Sequence, residues 1–249
     1  MKISDRIHIL TSGKDGIGMN NGPDATVYLI NGGEECAIID AGYGDSTEAI
    51  LNEIQKDGID KNRIKKIFLT HAHADHSGGI HNLSLALSTE VFAAKETAQA
   101  ITEGNEQFMS IDKAKQCGMF SKEFKFQRHN VNEINLSADI RIGDIILHAL
   151  LTEGHSNGHL VYWSDINGKR CLFSGDSIFY HGKISLLSTW DCSIVKYRDT
   201  INCLAELNID GLFPAHGCFT LTCGSAHIQR SLHYFKNLEI PPNYNEDLW

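Results

Sequence analysis

Residues 71–79 read His-Ala-His-Ala-Asp-His-Ser-Gly-Gly, so three imidazoles and one carboxylate stand within six positions, directly before two glycines. The apolar residues before this stretch, Ile64, Ile67 and Phe68, predict a buried strand, and residues 80–87 after it predict a helix. The polar residues therefore occupy a turn between a strand and a helix. Imidazole and carboxylate groups are common ligands of zinc in proteins, and their density here predicts a metal site.

The composition of the chain argues against several classes of protein. The formal net charge of −9 does not suit a nucleic-acid partner, because phosphate contacts need clustered Lys and Arg. No run of apolar residues approaches the roughly 20 that cross a bilayer, and the charged N-terminal residues do not resemble a secretory signal. We therefore expect a cytoplasmic protein without membrane association. Its seven scattered cysteines predict no disulfide framework.

The order of predicted elements indicates one domain over residues 1–249. Strand-like segments and helices recur in two successive sets, and no Pro- or Ser-rich linker separates them. Two sheets with helices outside fit this order best. Residues 95–125 differ, because polar helical segments there carry scattered Met and Phe. This segment predicts a helical insertion, which is either a lid or a set of amphipathic helices packed on the core.

The central motif can hold two ions. His71 and His73 stand two apart at the end of an extended segment, so their side chains can leave the same face and bind one ion. Asp75 and His76 lie beyond the turn and can point elsewhere, towards a second ion. Each pair then needs further ligands from distant parts of the chain.

Three polar residues at the ends of apolar runs can supply those ligands. His155 lies in Thr-Glu-Gly-His-Ser, Asp176 in Phe-Ser-Gly-Asp-Ser and His216 in Phe-Pro-Ala-His-Gly. The glycines beside them let the backbone turn sharply and approach an ion closely.

With these residues, the chain resembles the metallo-β-lactamase-fold hydrolase superfamily, in its glyoxalase II-like and lactonase-like branches. The resemblance extends from Asp40 to His216, and the His-x-His-x-Asp-His motif that carries it is specific. It implies an α+β fold, a four-layer αββα sandwich in which helices flank two mixed β-sheets. This fold would be a single domain that contains the insertion.

The resemblance also implies a role for each candidate residue. One ion would be bound by His71, His73 and His155, the other by Asp75, His76 and His216, and Asp176 would bridge both. Asp40, in Ile-Ile-Asp-Ala-Gly, would orient a ligand without binding metal.

Two further residues are candidates for the substrate side of the site. Tyr180 lies near the position at which similar lactonases carry a tyrosine, shortly after the bridging aspartate. His159 stands four residues beyond His155, and we expect it either to support a ligand or to face the substrate.

The implied reaction is a hydrolysis by a hydroxide that bridges two metal ions, which lower the pKa of the water. Asp75 would be catalytic, since it can orient this hydroxide and accept its proton. Zn²⁺ suits the ligands best, although Fe or Mn also accepts them. The expected substrate is a small molecule with an ester, thioester or lactone bond, and homodimers are common among such hydrolases.

Two other functions stay open at this point. Sulfur (persulfide) dioxygenases resemble the chain in its central motif and use a single iron, held by counterparts of His71, His155 and Asp176. A scaffold without activity is the other alternative, but it would be expected to have lost ligands, and this chain keeps all seven.

Overall fold

The computed structural model describes residues 1–244, and the first half of this span forms a six-stranded sheet with strands in the order β1-β2-β3-β4-β5-β6. The strands are β1 Ile7–Thr11, β2 Val27–Asn31, β3 Cys36–Ile39, β4 Ile64–Phe68, β5 Glu90–Ala93 and β6 Asn132–Glu133. The first three pair antiparallel, and β3 to β6 pair parallel. Parallel pairing requires crossover connections, which contain α1 Thr47–Lys56, α2 Ala74–Ser77, α3 Ile80–Leu87, α4 Lys95–Glu103 and α5 Ile111–Gln116.

The second sheet has five strands in the order β11-β10-β9-β8-β7. They are β7 Ile140–Ile142, β8 Ile145–Leu151, β9 Leu160–Ile166, β10 Lys169–Gly175 and β11 Gly211–Pro214. Only the pairing of β10 with β11 is parallel, because α6 Ile194–Leu204 lies between them in the chain. The helix α7 Gly224–Lys236 follows. Asn167-Gly168, a pair typical of hairpin turns, connects β9 to β10, and both residues have positive φ, as a type I′ turn requires.

Three apolar clusters separate four layers. Strand β2 shows how the sequence builds them, because Leu29 faces the outer helices, whereas Tyr28 and Ile30 face the second sheet. A strand that is buried on both faces reads as a continuous apolar run. On the far side, Leu172 of β10 packs with Ile201 of α6. The predicted αββα sandwich of two mixed sheets is confirmed.

The segment 95–125 packs on the outer face of the first sheet. Ile101 of α4 and Ile111 of α5 are fully buried in the same cluster as Leu29, and Phe120 joins them. Within residues 1–244, none of the helices is long and apolar enough to cross a membrane.

Candidate metal centre

The carboxyl ends of the strands bring the predicted ligands to one edge of the sandwich. The chain leaves β4 into His71 and His73, and the short helix α2 then carries Asp75 and His76. From the second sheet, the ligands follow β8, β10 and β11. All seven side chains are buried, and they are His71, His73, Asp75, His76, His155, Asp176 and His216.

The first group contains three histidines. The Nδ1 atom of His73 lies 3.0 Å from Nε2 of His71 and 3.0 Å from Nε2 of His155. A tetrahedral zinc ion with Zn–N bonds of about 2.0–2.1 Å would place two ligand nitrogens roughly 3.3–3.4 Å apart. The three nitrogens are therefore close to the spacing that one ion requires.

The second group combines a carboxylate with two histidines. Oδ2 of Asp75 lies 3.3 Å from Nε2 of His216 and 3.5 Å from Nε2 of His76. Asp176 lies between the groups, because its Oδ2 is 3.4 Å from Nε2 of His155 while its Oδ1 is 3.5 Å from Nε2 of His76. This carboxylate is placed to contact two ions at once.

The unsatisfied atoms of the cluster test whether a metal fits it. Nε2 of His76 and Oδ1 of Asp176 are buried and lack a hydrogen-bond partner within the described part of the chain. A buried polar atom left in this state costs about 1–3 kcal/mol. Ions bound to these atoms would satisfy both, and imidazole with carboxylate is a donor set that zinc, iron or manganese accepts. The residues fit a pair of divalent ions.

The two groups differ in electrostatics. Burial and the neighbouring imidazoles lower the pKa of His71 and His155 well below its usual value, so both rings are neutral. Burial also acts to lower the pKa of His76, but Asp75, Asp176 and Asp40 outweigh it and raise that pKa to about 10. The second group therefore stabilises positive charge, whether carried by a proton or by a metal ion.

Hydrogen bonds to the outer nitrogens fix the orientation of two ligands. Oδ2 of Asp40 lies 2.8 Å from Nδ1 of His76, and Oδ1 of Asp40 accepts from the N–H of Thr70 at 2.8 Å. Nδ1 of His155 donates to the carbonyl oxygen of Ser185 at 3.0 Å. In each case Nε2 is left to face the centre, where it can bind a metal ion. Asp40 therefore lies behind His76, in contact with its outer nitrogen.

His159 lies beneath the centre and does not line the cavity above it. Its Nε2 accepts a hydrogen bond from the N–H of Asp176 at 3.1 Å, and its ring stacks on that of His71 with centroids 4.8 Å apart. His159 was expected either to support a ligand or to face the substrate, and this geometry favours support of a ligand.

Tyr180 is not brought to the cavity either, because its ring packs against His181 and His227 instead. The tyrosine that lines the cavity is Tyr244, whose ring stacks on Phe179 at 4.6 Å and lies 6.2 Å from that of His216.

Tyr197 of α6 is a further supporting residue. Its hydroxyl donates to the carbonyl oxygen of Asp176 at 2.7 Å and lies 3.1 Å from that of Ser185. A buried tyrosine on an amphipathic helix has the pattern of an ordinary core residue, so the sequence carries no signal for this role.

A cavity of about 860 Å³ opens above the ligands, which is the size of a small-molecule site. Its floor includes His73, His155 and Asp176. The segment 95–125 forms one wall, through Met119 and Phe120 among others. This segment therefore shapes the space in which a substrate would lie.

Among known proteins, the hydroxyacylglutathione hydrolase of Buchnera aphidicola subsp. Acyrthosiphon pisum is 31% identical over 156 residues, which cover 62% of this chain and 47% of that protein. The lactamase-like protein adaB of Aspergillus niger is 27% identical over 201 residues, which cover 76% of this chain and 49% of that protein. The chain spans about half the length of these two curated relatives.

Among solved structures, BJP-1, a subclass B3 metallo-β-lactamase of Bradyrhizobium japonicum, has the same fold. The TM-score is 0.70 at 19% identity, and the match covers 96% of this chain and 92% of that one. A sequence model of the metallo-β-lactamase superfamily matches residues 21–216, most of the chain. The chain therefore belongs to the metallo-β-lactamase superfamily.

Proposed function

We propose that the protein is a metal-dependent hydrolase that cleaves an ester, thioester or lactone bond of a small molecule. The observation that carries this proposal is the position of Asp176, whose two oxygens lie 3.4 Å from Nε2 of His155 and 3.5 Å from Nε2 of His76. A carboxylate shared between two groups of ligands is the arrangement of a two-metal site. When bound, two divalent ions supply an activated water and polarise the bond that it attacks.

The residues divide this work between them. His71, His73 and His155 would hold one ion, Asp75, His76 and His216 the other, and Asp176 would contact both. We expect Zn²⁺, and Fe or Mn would also suit these ligands. His71, His155 and the neighbouring His159 have lowered pKa values because they are buried, so protons would not compete strongly for the first site.

Asp75 is the residue to which we assign proton transfer. It lines the cavity, and its Oδ2 is directed at His76 and His216. Burial opposes ionisation of this carboxyl, yet His76 and His216 hold its pKa below the usual value. The group is therefore ionised and can accept a hydrogen bond from a water, and we assign to it the orientation of that water and the acceptance of its proton.

A small-molecule substrate fits the cavity, whose wall is partly apolar and whose floor carries the ligands. The relative named hydroxyacylglutathione hydrolase supports a hydrolytic reaction. A cytoplasmic location and a homodimer stay predictions from the sequence.

Metal analysis of protein purified without added metal tests the proposal, together with a panel of thioesters, lactones and phosphodiesters. We expect about two zinc, manganese or iron ions per chain, and hydrolysis that is lost on chelation and restored by metal. Asp176→Ala should abolish turnover and weaken metal retention. Asp139→Ala, which removes an exposed carboxylate that does not line the cavity, is the matched control and should change neither.

The rival reaction is that of a mononuclear-iron sulfur (persulfide) dioxygenase. His71, His155 and Asp176 form a set of two histidines and one carboxylate, which is typical of non-haem iron, and all three lie within this cluster. One iron per chain, with oxygen uptake on glutathione persulfide and no hydrolysis, would replace our proposal with this one.

A further inference from the structure

Two buried tyrosines lie in the core between the sheets, and each donates its hydroxyl to the opposite sheet. Tyr28, on β2 of the first sheet, donates to the carbonyl oxygen of Pro214 on β11 at 2.7 Å. Tyr162, on β9 of the second sheet, donates to the carbonyl oxygen of Leu69 beyond β4 at 2.7 Å. The two bonds are reciprocal, since each sheet gives one and accepts one.

A backbone bond accompanies each hydroxyl. The N–H of Thr26, two residues before Tyr28, donates to the carbonyl oxygen of Ala215 at 2.7 Å. The N–H of Leu160, two residues before Tyr162, donates to that of Thr70 at 2.7 Å. The same arrangement therefore occurs twice, once in each direction across the sandwich.

The bonded carbonyls lie at equivalent positions before two of the ligands. Leu69 and Thr70 are the two residues before His71, and Pro214 and Ala215 are the two residues before His216. Each tyrosine thus holds the last part of a strand from which a metal ligand projects.

The ligands themselves are divided between the sheets. His71, His73, Asp75 and His76 follow a strand of the first sheet, and His155, Asp176 and His216 follow strands of the second. Each ion would therefore take ligands from both sheets, and the spacing of the sheets sets the distances between those ligands.

Apolar packing alone does not define that spacing sharply. The ring of Tyr28 packs on those of Phe173 and Phe213 with centroids 5.4 and 5.8 Å away, but such contacts are weakly directional compared with a hydrogen bond. Burial raises the pKa of Tyr28 and of Tyr162, so both hydroxyls keep the protons that they donate.

We propose that Tyr28 and Tyr162 are positioning residues of the metal centre, which fix the two sheets at the separation that the ligands need. This role rests on the proposed two-metal site. It concerns two side chains that touch neither an ion nor a substrate.

Removal of each hydroxyl tests the role. Tyr28→Phe and Tyr162→Phe keep the ring and delete one cross-sheet bond. Ile30→Val is the matched control, because Ile30 is fully buried in the same inter-sheet cluster and the change deletes a methylene group without touching a hydrogen bond. Metal-free samples of all three variants and of the wild type are titrated with Co²⁺ in competition with a chelator, and the visible absorption of the bound ion is recorded.

We expect each Phe variant to bind cobalt about tenfold more weakly, which is the lower end of the effect of ligand-orienting partners. Tyr28→Phe should weaken chiefly the ion held with His216, and Tyr162→Phe chiefly the ion held with His71 and His73. The absorption bands should shift in the affected site. Ile30→Val should lower the melting temperature and leave cobalt binding unchanged.

Several outcomes would overturn the role. Phe variants that bind both ions like the wild type, while they lose stability as Ile30→Val does, would show that the hydroxyls serve the fold alone and would leave the metal centre standing. A failure of both variants to fold, even with zinc present, would also show that the hydroxyls serve the fold. If only one variant folds, it still tests the role, since the two bonds are separate. A wild-type protein that binds no cobalt would overturn the metal centre and this role together.

Discussion

Asp40→Asn is the most informative single change near the centre, because it keeps the shape of the side chain and disturbs its hydrogen bond to a ligand. Asp40 has a φ of 62°, in the left-handed region that Asn tolerates well, so the substitution does not strain the backbone. The side chain accepts from the N–H and the hydroxyl of Thr70 through Oδ1, and from Nδ1 of His76 through Oδ2.

An amide cannot satisfy all of these partners. With its nitrogen towards His76, it presents a donor to Nδ1, which favours the tautomer that carries a proton on Nε2 and cannot bind metal. With the amide flipped, its nitrogen faces the N–H of Thr70, and two donors meet there instead. The lost bond is charge-assisted and worth about 1.5–3 kcal/mol. Since about 1.4 kcal/mol is a factor of ten, we expect the ion held by Asp75, His76 and His216 to bind roughly 10–100-fold more weakly.

Chelator competition on metal-free protein measures this loss for each ion. Asp24→Asn is the matched control, because Asp24 is also buried and accepts from the N–H of Tyr43 and the hydroxyl of Ser46, yet it contacts no candidate ligand through its side chain. We expect the control to keep both affinities. If Asp40→Asn binds each ion as tightly as the wild type does, Asp40 does not orient His76 for metal binding.

Three further predictions concern the protein around this bond. Gly175→Ala should lower the free energy of unfolding by about 2–4 kcal/mol in denaturant titrations, because φ is +50° and a Cβ would lie 2.8 Å from Nε2 of His159. Gly168→Ala has positive φ but open space around it and should cost only about 1 kcal/mol, so equal losses would contradict the packing argument. The raised pKa of His76, about 10, means that metal must displace a proton at neutral pH. Metal affinity should therefore fall as the pH is lowered, and calorimetry in buffers of different ionisation enthalpy should detect proton release. An affinity that does not change with pH would contradict the displacement of a proton from His76. Met119→Ala, on the cavity wall, should raise KM for a thioester with an apolar acyl chain and leave kcat unchanged in steady-state kinetics; the opposite pattern would remove Met119 from the binding site.

The sequence predicted the elements that carry a strong local pattern. Strand β4 contains the apolar residues Ile64, Ile67 and Phe68 from which it is predicted, and helix α3 spans the predicted residues 80–87. Strand β6 was not expected, because its two residues, Asn132 and Glu133, are exposed and show no alternation of polar and apolar side chains. Its backbone pairs with β5 at the edge of the first sheet. A pattern of burial cannot reveal a strand whose stability comes from its neighbour.

The candidate ligands were accessible to sequence reasoning for a different reason. Their chemical type is rare in such density, and each distant ligand follows a strand at a glycine-flanked turn. Tyr180 is a residue whose position such reasoning did not predict. Its place after Asp176 suggests the cavity, but the chain turns away at His181, which has a φ of 64°, and Tyr180 packs outside. Tyr244 reaches the cavity from the other end of the chain, where its N–H donates to the carbonyl oxygen of Ile184, a contact that no local pattern encodes.

Local sequence patterns do not encode such distant contacts, and for this reason the sequence does not reveal the role of the two cross-sheet tyrosines. Tyr28 and Tyr162 stand among apolar residues of ordinary strands, and both are buried. Periodicity says nothing about the partner of a hydroxyl, which depends on how the two sheets are stacked. A buried tyrosine hydroxyl must find an acceptor or cost free energy, so each of these residues favours only those sheet arrangements that bring a free carbonyl to it. In this fold the carbonyls within reach are those just before His71 and His216. The two hydrogen bonds that satisfy these core hydroxyls therefore also bring the two halves of the metal centre together.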